Sequence, residues 1–322
     1  MKKISLILLV SVVALLFASQ GFAAKKPVIG FIVTTMDNEF YVTMVNAAKM
    51  EAKKLNVDLM VQAGMRHGSV EDQLRIFEDM LTRQVDAICV VAASLEGLIG
   101  AIGKAQKAGI PVVNPDVRIS PEAVKNAGLK PVTYIGSSNF EAAYSAGKYA
   151  IEKMKIRGNI AVLTGVLGAA NAQLRRDGFR AAVDELGVDK VKIVAQQTAN
   201  WEVEQGYNVF QNMLQAHPDV SFLFGSNDNM AIGAIRAIKD AGKLDQIKVV
   251  GFDAIPAALQ AIKDGTMVAT VAQYPAEMGH QSVQAALKLI NGESVPEEII
   301  VKTEVIDKSN LGDFLKYIAK YK

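Results

Sequence analysis

The chain has 322 residues, of which 50% are hydrophobic and 21% charged, so it can form two buried cores and is not a disordered chain. Its 35 basic residues fall to 33 without Lys2 and Lys3, which lie in a segment expected to be removed, and so equal the 33 acidic residues. A nucleic-acid-binding protein would show a basic excess, so no nucleic-acid partner is expected. The single cysteine, Cys89, permits no internal disulfide and no cysteine-rich metal site.

Residues 1–23 have the three parts of a secretory signal peptide. Lys2 and Lys3 form the charged start, Ile4–Phe17 form the apolar core, and Gly21 and Ala23 are the small residues before the cleavage point. A membrane anchor is the alternative, but the core is shorter than the roughly 20 apolar residues that span a bilayer. We expect a soluble periplasmic protein that begins at Ala24 and carries no lipid, because no cysteine follows the apolar core.

From Pro27 onward, short apolar runs alternate with segments of helical period, which is the pattern of βαβ units with a parallel sheet. Strands are predicted at Val28–Val33, Val57–Gln62, Val85–Ala92 and Ile110–Val113, and helices at Glu39–Leu55, after Ser69 and at 94–108. Ser69 and Asp72 resemble a capping box, and Gly109 resembles a helix C-cap. The segment Arg118–Pro131 has no clear period and is predicted to be a surface connection.

The same alternation resumes in the second half of the chain. Strands are predicted at Val132–Gly136, Asn159–Thr164, Val191–Gln196, Val220–Phe224, Lys248–Gly251, Val268–Ala272 and near 298–305. Helices are predicted at 171–186, at 275–291 and at Leu311–Tyr321. The simplest assembly of these elements is an α/β fold with two similar lobes, each a three-layer α/β/α sandwich with a mainly parallel sheet.

The sequence lacks the motifs of several enzyme classes. It contains no GxxxxGK[ST] phosphate loop, no GxSxG nucleophile elbow and no HExxH metal motif. Cys89 lies between apolar residues of a predicted buried strand, where a cysteine packs in the core instead of acting as a nucleophile. We therefore expect no catalytic residue, no metal and no cofactor.

Polar and aromatic residues cluster at the predicted strand ends, where parallel sheets bind ligands. They are Asp37–Tyr41, Asn114, Asp116, Asn171, Gln173, Arg175, Arg176, Trp201, Asn227, Asp228, Asp253 and Gln273. Carboxylates accept from hydroxyl groups, Arg and Asn donate to oxygens, and aromatic rings cover C–H faces, so this set suits a neutral polyhydroxylated molecule. Each residue also has a structural alternative, since the Asn residues could cap helices and the aromatics could fill a core.

These residues lie in segments where the sequence resembles a known family. The segments are DNEFY (37–41), RRDGF (175–179), NVFQNMLQAHPDV (208–220), NDNMAIGAIRAI (227–238), VVGFD (249–253) and TVAQYP (270–275). They resemble the type I periplasmic sugar-binding proteins of ABC transporters, ribose-binding proteins in particular, whose core fold is shared by the ligand domains of LacI-type repressors. The resemblance covers nearly the whole chain after the signal peptide.

The resemblance implies a ligand site between two lobes. It implies contacts from Asn38, Phe40, Tyr41 and Asp116 of the first lobe, from Arg175, Trp201, Asn227 and Asp253 of the second, and from Gln273 at a hinge crossing. It also implies three crossings, near Ser137, Gln273 and Lys302. The N-terminal lobe would then comprise 24–137 plus 274–302, and the C-terminal lobe 138–273 plus 303–322.

The sequence departs from the ribose-binding pattern at one anchor. Ribose-binding proteins have Arg directly after the first-lobe aspartate, whereas this chain has Val117, with Arg118 one place later. Losing a bidentate donor changes ligand preference. A pentose, a hexose and an acyclic sugar alcohol therefore all stay open, and so does the question whether Arg118, Gln173 or Arg176 joins the site.

The leading hypothesis is a monomeric periplasmic protein that captures a small neutral sugar or polyol by hinge closure and delivers it to an inner-membrane ABC permease. A second hypothesis is a sensor for a chemoreceptor or sensor kinase, including a protein of the autoinducer-2-binding type. A third is a glycosidase in which Asp116 and Asp253 would form the carboxylate pair.

Overall fold

The computed structural model describes residues 25–321, so the predicted signal peptide lies outside the described residues. Among the described residues, no helix is both long and apolar enough to cross a membrane. Two six-stranded sheets, each flanked by helices, form two α/β lobes. The predicted fold class is therefore confirmed.

The first part of the chain contains five strands and five helices among the described residues. The strands are β1 (Val28–Val33), β2 (Asp58–Ala63), β3 (Ala87–Val90), β4 (Val112–Pro115) and β5 (Thr133–Ser137). The helices are α1 (Glu39–Lys54), α2 (Val70–Thr82), α3 (Ile99–Lys107), α4 (Pro121–Asn126) and α5 (Asn139–Lys148), the last followed by a π-helical turn at Tyr149–Lys153.

The rest of the chain continues the alternation. The strands are β6 (Gly158–Thr164), β7 (Val191–Thr198), β8 (Val220–Gly225), β9 (Lys248–Asp253), β10 (Ala269–Ala272), β11 (Glu298–Val301) and β12 (Glu304–Asp307). The helices are α6 (Ala170–Leu186), α7 (Val203–Ala216), α8 (Asp228–Asp240), α9 (Pro256–Asp264), α10 (Pro275–Ile290) and α11 (Leu311–Ile318), with a 3₁₀ turn at Ala319–Tyr321.

The two sheets have the same layout. The first has the order β11-β5-β4-β3-β1-β2 and is parallel throughout, whereas the second has the order β12-β10-β9-β8-β6-β7 with β12 antiparallel at its edge. The chain passes between the sheets after β5, after β10 and again between β11 and β12. Three connections therefore join the lobes.

Buried apolar strands explain why each sheet has helices on both faces. Successive side chains of a strand point to opposite faces, so Phe31 and Cys89 join one core with α1 and α10, whereas Ile32 and Ile88 join the other with α2 and α3. In the second sheet, the ring of Phe179 on α6 stacks on Phe224 of β8 with centroids 4.2 Å apart. These cores fix the strand ends that form the site.

Three local predictions were wrong. Ser69 is the N-cap of α2 as predicted, but no capping box forms: its side chain makes no capping bond, and the Asp72 carboxylate accepts from the amide of Met65. The segment Arg118–Pro131 contains α4, which begins at Pro121 and is capped by the Ser120 hydroxyl on the amide of Ala123. The strand predicted near 298–305 is two strands, β11 and β12, which belong to different sheets.

Candidate functional site between the lobes

A small cavity lies between the two lobes, at the carboxyl ends of strands from both sheets. It is lined by Asn38, Phe40, Tyr41, His67, Asp116, Asn171, Arg175, Trp201, Asn227, Asp253 and Gln273. All the site residues predicted from the sequence are in this set. The fold thus brings together residues that are up to 235 positions apart, from Asn38 to Gln273.

The first-lobe residues at the start of α1 are fixed by the helix itself. The Asn38 side-chain oxygen accepts from the amide of Phe40 at 3.0 Å and so caps α1, as the structural alternative predicted. The Phe40 and Tyr41 rings meet edge to face with centroids 5.3 Å apart. The Asn38 side-chain oxygen therefore caps the helix, and Asn38, Phe40 and Tyr41 all line the cavity.

Asp116 follows β4 and is held from three sides. Its amide donates to the carbonyl of Ile135 at 2.9 Å, its carbonyl accepts from the Tyr134 hydroxyl at 2.9 Å, and its Oδ2 accepts from the Tyr41 hydroxyl at 3.1 Å. Its Oδ1 is buried and has no hydrogen-bond partner among the described residues. A buried carboxylate oxygen without a partner is costly, so it marks a place for a hydrogen-bond donor.

Arg175, Asp253 and Gln273 form a buried polar cluster in the opposite wall. The Arg175 side chain, 3% exposed, donates to Asn139 Oδ1 at 2.7 Å, to the carbonyl of Ser226 at 2.8 Å and to Asp253 Oδ1 at 3.3 Å. Gln273 Nε2 donates to the same Asp253 oxygen at 2.6 Å. The Gln273 Oε1 atom is also buried with no hydrogen-bond partner among residues 25–321, so it is a second acceptor that could bind a ligand donor.

Two aromatic rings contact this cluster. The Arg175 guanidinium lies 5.3 Å from the centroid of the Trp201 ring and 4.0 Å from that of the Phe252 ring. A side chain at Gly165 would overlap the Trp201 ring, so only glycine leaves room for it. Asn227 caps α8 by accepting from the amide of Met230 at 2.9 Å, and its Nδ2 donates to the Trp201 carbonyl at 3.2 Å. Trp201 itself lies before α7 and not within it.

Three of the cavity residues have strained backbones. The φ angles are +61° at Asp116, +69° at Trp201 and +112° at Asp253. Left-handed φ angles are uncommon outside glycine, and such strain persists where the surrounding structure enforces it and clusters at functional sites. The chain just after Asp253 is held by Asp228, whose carboxylate accepts from the amide of Ile255 at 3.0 Å and from the Thr270 hydroxyl at 2.7 Å.

Comparisons with known proteins agree with this architecture. Residues 29–294 match the family model described as a periplasmic binding protein domain. The chain belongs to the periplasmic binding protein family. A D-ribose/D-allose-binding protein of Pseudomonas aeruginosa is 36% identical over 286 residues, which are 88% of each chain.

Two further members of this family are similar over most of their length. The ribose import binding protein of Escherichia coli K12 is 34% identical over 308 residues, which are 96% of this chain and 99% of that protein. The crystal structure of an ABC transporter periplasmic solute binding protein from Actinobacillus succinogenes with bound D-allose has a TM-score of 0.85 and 38% identity, and the match covers 89% of this chain and 100% of that one. The similarity therefore extends over both lobes.

The acidic groups of this family member's cavity have altered pKa values. Burial raises the pKa of Asp253 to about 7; the Arg175 guanidinium opposes this shift, whereas the Asp116 carboxylate adds to it. Burial also raises the pKa of Asp116, again opposed by Arg175. The Arg175 guanidinium thus acts on the carboxyl groups of both Asp116 and Asp253. Hydrogen-bond donors of a ligand would further favour the charged form of each carboxyl group.

Two cavity residues were not among the predicted contacts. His67 follows β2, so the same strand-end rule points to it. Its ring lies 5.8 Å from that of Tyr41, and burial lowers its pKa to about 4, so it is neutral and can both donate and accept. Asn171, at the start of α6, belonged to the strand-end set but was not predicted as a contact.

The residues left open by the sequence do not line this cavity. Arg118 donates to Glu298 Oε1 at 2.9 Å, Gln173 is exposed, and Arg176 pairs with Asp177 at 2.7 Å. Val117 is buried in the first-lobe core, so no guanidinium replaces the one missing at that position. The side-chain donor that binds the Asp116 carboxylate is the Tyr41 hydroxyl.

Proposed function

We propose that this protein captures one neutral monosaccharide or sugar alcohol between its lobes in the periplasm and delivers it, without converting it, to an inner-membrane ABC permease. One observation supports this most strongly. Asp116 Oδ1 and Gln273 Oε1 are buried acceptors in the same cavity with no partner among the described residues. Hydroxyl groups of a neutral ligand supply the donors that such acceptors need.

The rest of the cavity supports the same ligand class. Aromatic rings of Phe40 and Trp201 offer faces for C–H groups, while Asn38, Asn171 and His67 add neutral hydrogen-bonding groups. The relatives described above are named for D-ribose and D-allose. Since the guanidinium expected after Asp116 is replaced by the buried Val117, ribose is one candidate among several. The ligand class is therefore a polyol or sugar, and the individual compound follows from the experiment below.

Capture would depend on hinge closure. We take the lobes to be 24–137 with 274–302 and 138–273 with 303–322, and Gln273 lies at one of the crossings. Asp116 and Asp253 belong to different lobes, so a ligand bound to both would stabilise the closed form over the open one. Closure without ligand would bury Asp116 Oδ1 and Gln273 Oε1 without hydrogen-bond donors, which disfavours the closed form.

Thermal unfolding with a ligand panel tests this proposal. Residues 24–322 are purified, freed of carried-over ligand by partial unfolding, and heated with pentoses, hexoses, sugar alcohols and, as a class control, amino acids. A ligand at 100 times its dissociation constant adds about 2.7 kcal/mol and raises the Tm by several degrees. Sedimentation before and after ligand addition reports the expected monomer. A Tm shift with amino acids and none with any sugar or polyol contradicts the proposal.

A further inference from the structure

Tyr134 on β5 has a hydroxyl that reaches the carbonyl of the strained residue Asp116. Tyr134 is 5% exposed and does not line the cavity. Its hydroxyl donates to the Asp116 carbonyl oxygen at 2.9 Å, in addition to the bond between the Asp116 amide and the Ile135 carbonyl. Both bonds act on the main chain of a residue whose φ is +61°. The direction of the Asp116 side chain is set by this backbone conformation.

The ring of Tyr134 is itself confined from two sides. A methyl group at Gly136 would overlap the Tyr134 hydroxyl, so the ring can lie along the strand only because residue 136 has no side chain. The Arg118 guanidinium lies over the ring, 4.7 Å from its centroid. Arg118 is held in turn by Glu298, its partner at 2.9 Å, on the neighbouring strand β11. These contacts restrict the positions that the ring can adopt.

We propose that Tyr134, confined between Gly136 and Arg118, is a positioning residue that aims the Asp116 carboxylate into the cavity. The proposal rests on the proposed function, since it concerns the acceptor that a ligand hydroxyl would use. It gives Arg118 a part in the site although its side chain does not reach the cavity. The proposal also explains how Asp116 is oriented although no arginine follows it. The Tyr41 hydroxyl binds Oδ2 of the carboxylate, and the Tyr134 hydroxyl fixes the backbone of Asp116, so that Oδ1 faces the cavity.

Tyr134→Phe removes the hydroxyl and keeps the ring. D-ribose and D-allose are the probes, and titration calorimetry measures their affinity. We expect a roughly tenfold loss of affinity, the size of one neutral hydrogen bond. Tyr144→Phe is the matched control, because it removes a hydroxyl that donates to Glu185 at 2.8 Å on the surface, and it should change the affinity less than twofold. Gly136→Ala should weaken binding as Tyr134→Phe does.

A double-mutant cycle separates positioning from general destabilisation. In an Asp116→Asn background, measured at millimolar sugar, Tyr134→Phe should change the affinity less than twofold, because the acceptor that it aims is gone. An undiminished tenfold effect in that background overturns the proposal, and so does unchanged affinity of Tyr134→Phe in the parent protein. Thermal unfolding of each variant checks that it is folded.

A measurement on the protein without ligand keeps this proposal separate from the proposed function. The Asp116 carboxyl carbon, observed by ¹³C NMR, should move in Tyr134→Phe and stay in place in Tyr144→Phe. An unmoved resonance in Tyr134→Phe overturns the positioning role whatever the protein binds. If the parent protein binds neither sugar, the choice of ligand is wrong, and the NMR result still decides the role of Tyr134.

Discussion

Asp116→Asn changes the function of a single cavity atom. The Tyr41 hydroxyl donates to Asp116 Oδ2 at 3.1 Å, so an asparagine keeps its carbonyl oxygen on that side. Its amide group then occupies the position of Oδ1, which is buried without a partner. The substitution thus replaces an acceptor by a donor at the point where a ligand hydroxyl is expected to donate. The shape of the side chain is almost unchanged.

The expected loss of affinity follows from this reversal. A hydrogen bond to a charged group contributes roughly 1.5–3 kcal/mol. A ligand hydroxyl that rotates to accept from the asparagine amide regains part of this free energy, but it then loses the hydrogen bonds of its original orientation. We expect a net loss of about 2–4 kcal/mol, which is roughly a 30- to 1,000-fold increase in Kd. Folding stability should not fall, because the buried carboxylate, whose pKa is raised by burial, is replaced by a neutral group.

Titration calorimetry with the sugar identified by the thermal panel measures the affinity, and thermal unfolding without ligand measures stability. Asp177→Asn is the matched control, since Asp177 pairs with Arg176 outside the cavity and should leave the affinity unchanged. If Asp116→Asn binds the sugar within threefold of the parent protein, the reasoning from the unpartnered oxygen is refuted. A large fall in the Tm would instead show that the carboxylate is needed for folding.

Three further predictions concern other parts of the molecule. Burial raises the pKa of Asp253 to about 7, and the carboxylate form accepts from hydroxyls. Affinity for the ligand should therefore be highest above pH 7 and fall as the pH is lowered through 7. Calorimetry should find this pH dependence reduced in Asp253→Asn. Trp201 is the single tryptophan and lies in the cavity, so ligand should change its fluorescence emission; an unchanged spectrum at saturation would contradict its placement. A methyl group at Gly178 would overlap the Phe140 carbonyl between α6 and α5, so Gly178→Ala should lower the free energy of unfolding by about 1–3 kcal/mol. A methyl group at Gly100 on α3 meets open space, so Gly100→Ala should raise the free energy of unfolding by about 0.5–1 kcal/mol. Denaturant unfolding measures both changes.

The candidate site was predictable because of a geometric rule. The carboxyl ends of parallel strands meet at one edge of a sheet, so residues that follow strands lie near one another before any side-chain contact is known. Asp116, Asp253 and Gln273 all follow or end strands, and the cavity contains all three. The structural alternatives were also right in part, because Asn38 and Asn227 cap helices while lining the same cavity.

Other features depended on competition between local groups, which a sequence does not resolve. Ser69 and Asp72 have the spacing of a capping box and Ser69 does precede α2, but the Asp72 carboxylate accepts from the amide of Met65. The strand prediction near 298–305 did not show a break, because only two residues separate β11 from β12; the pairing of β11 with β5 and of β12 with β10 places them in different sheets. His67 was missed because a lone histidine has no signal of its own beyond its place after β2.

The sequence by itself determined the alternation of strands and helices, the two-lobe α/β class and the chemical character of the strand ends, because these follow from hydrophobic period and residue type. Only the tertiary structure decided which acceptors are satisfied. Tyr41 and Asp116 are 75 positions apart, and Arg175 and Asp253 are 78 apart, so their bonds depend on how the sheets and lobes pack and not on any local pattern. The pKa of Asp253 and the free oxygens of Asp116 and Gln273 depend on the same packing, since burial and hydrogen-bond partners come from distant parts of the chain.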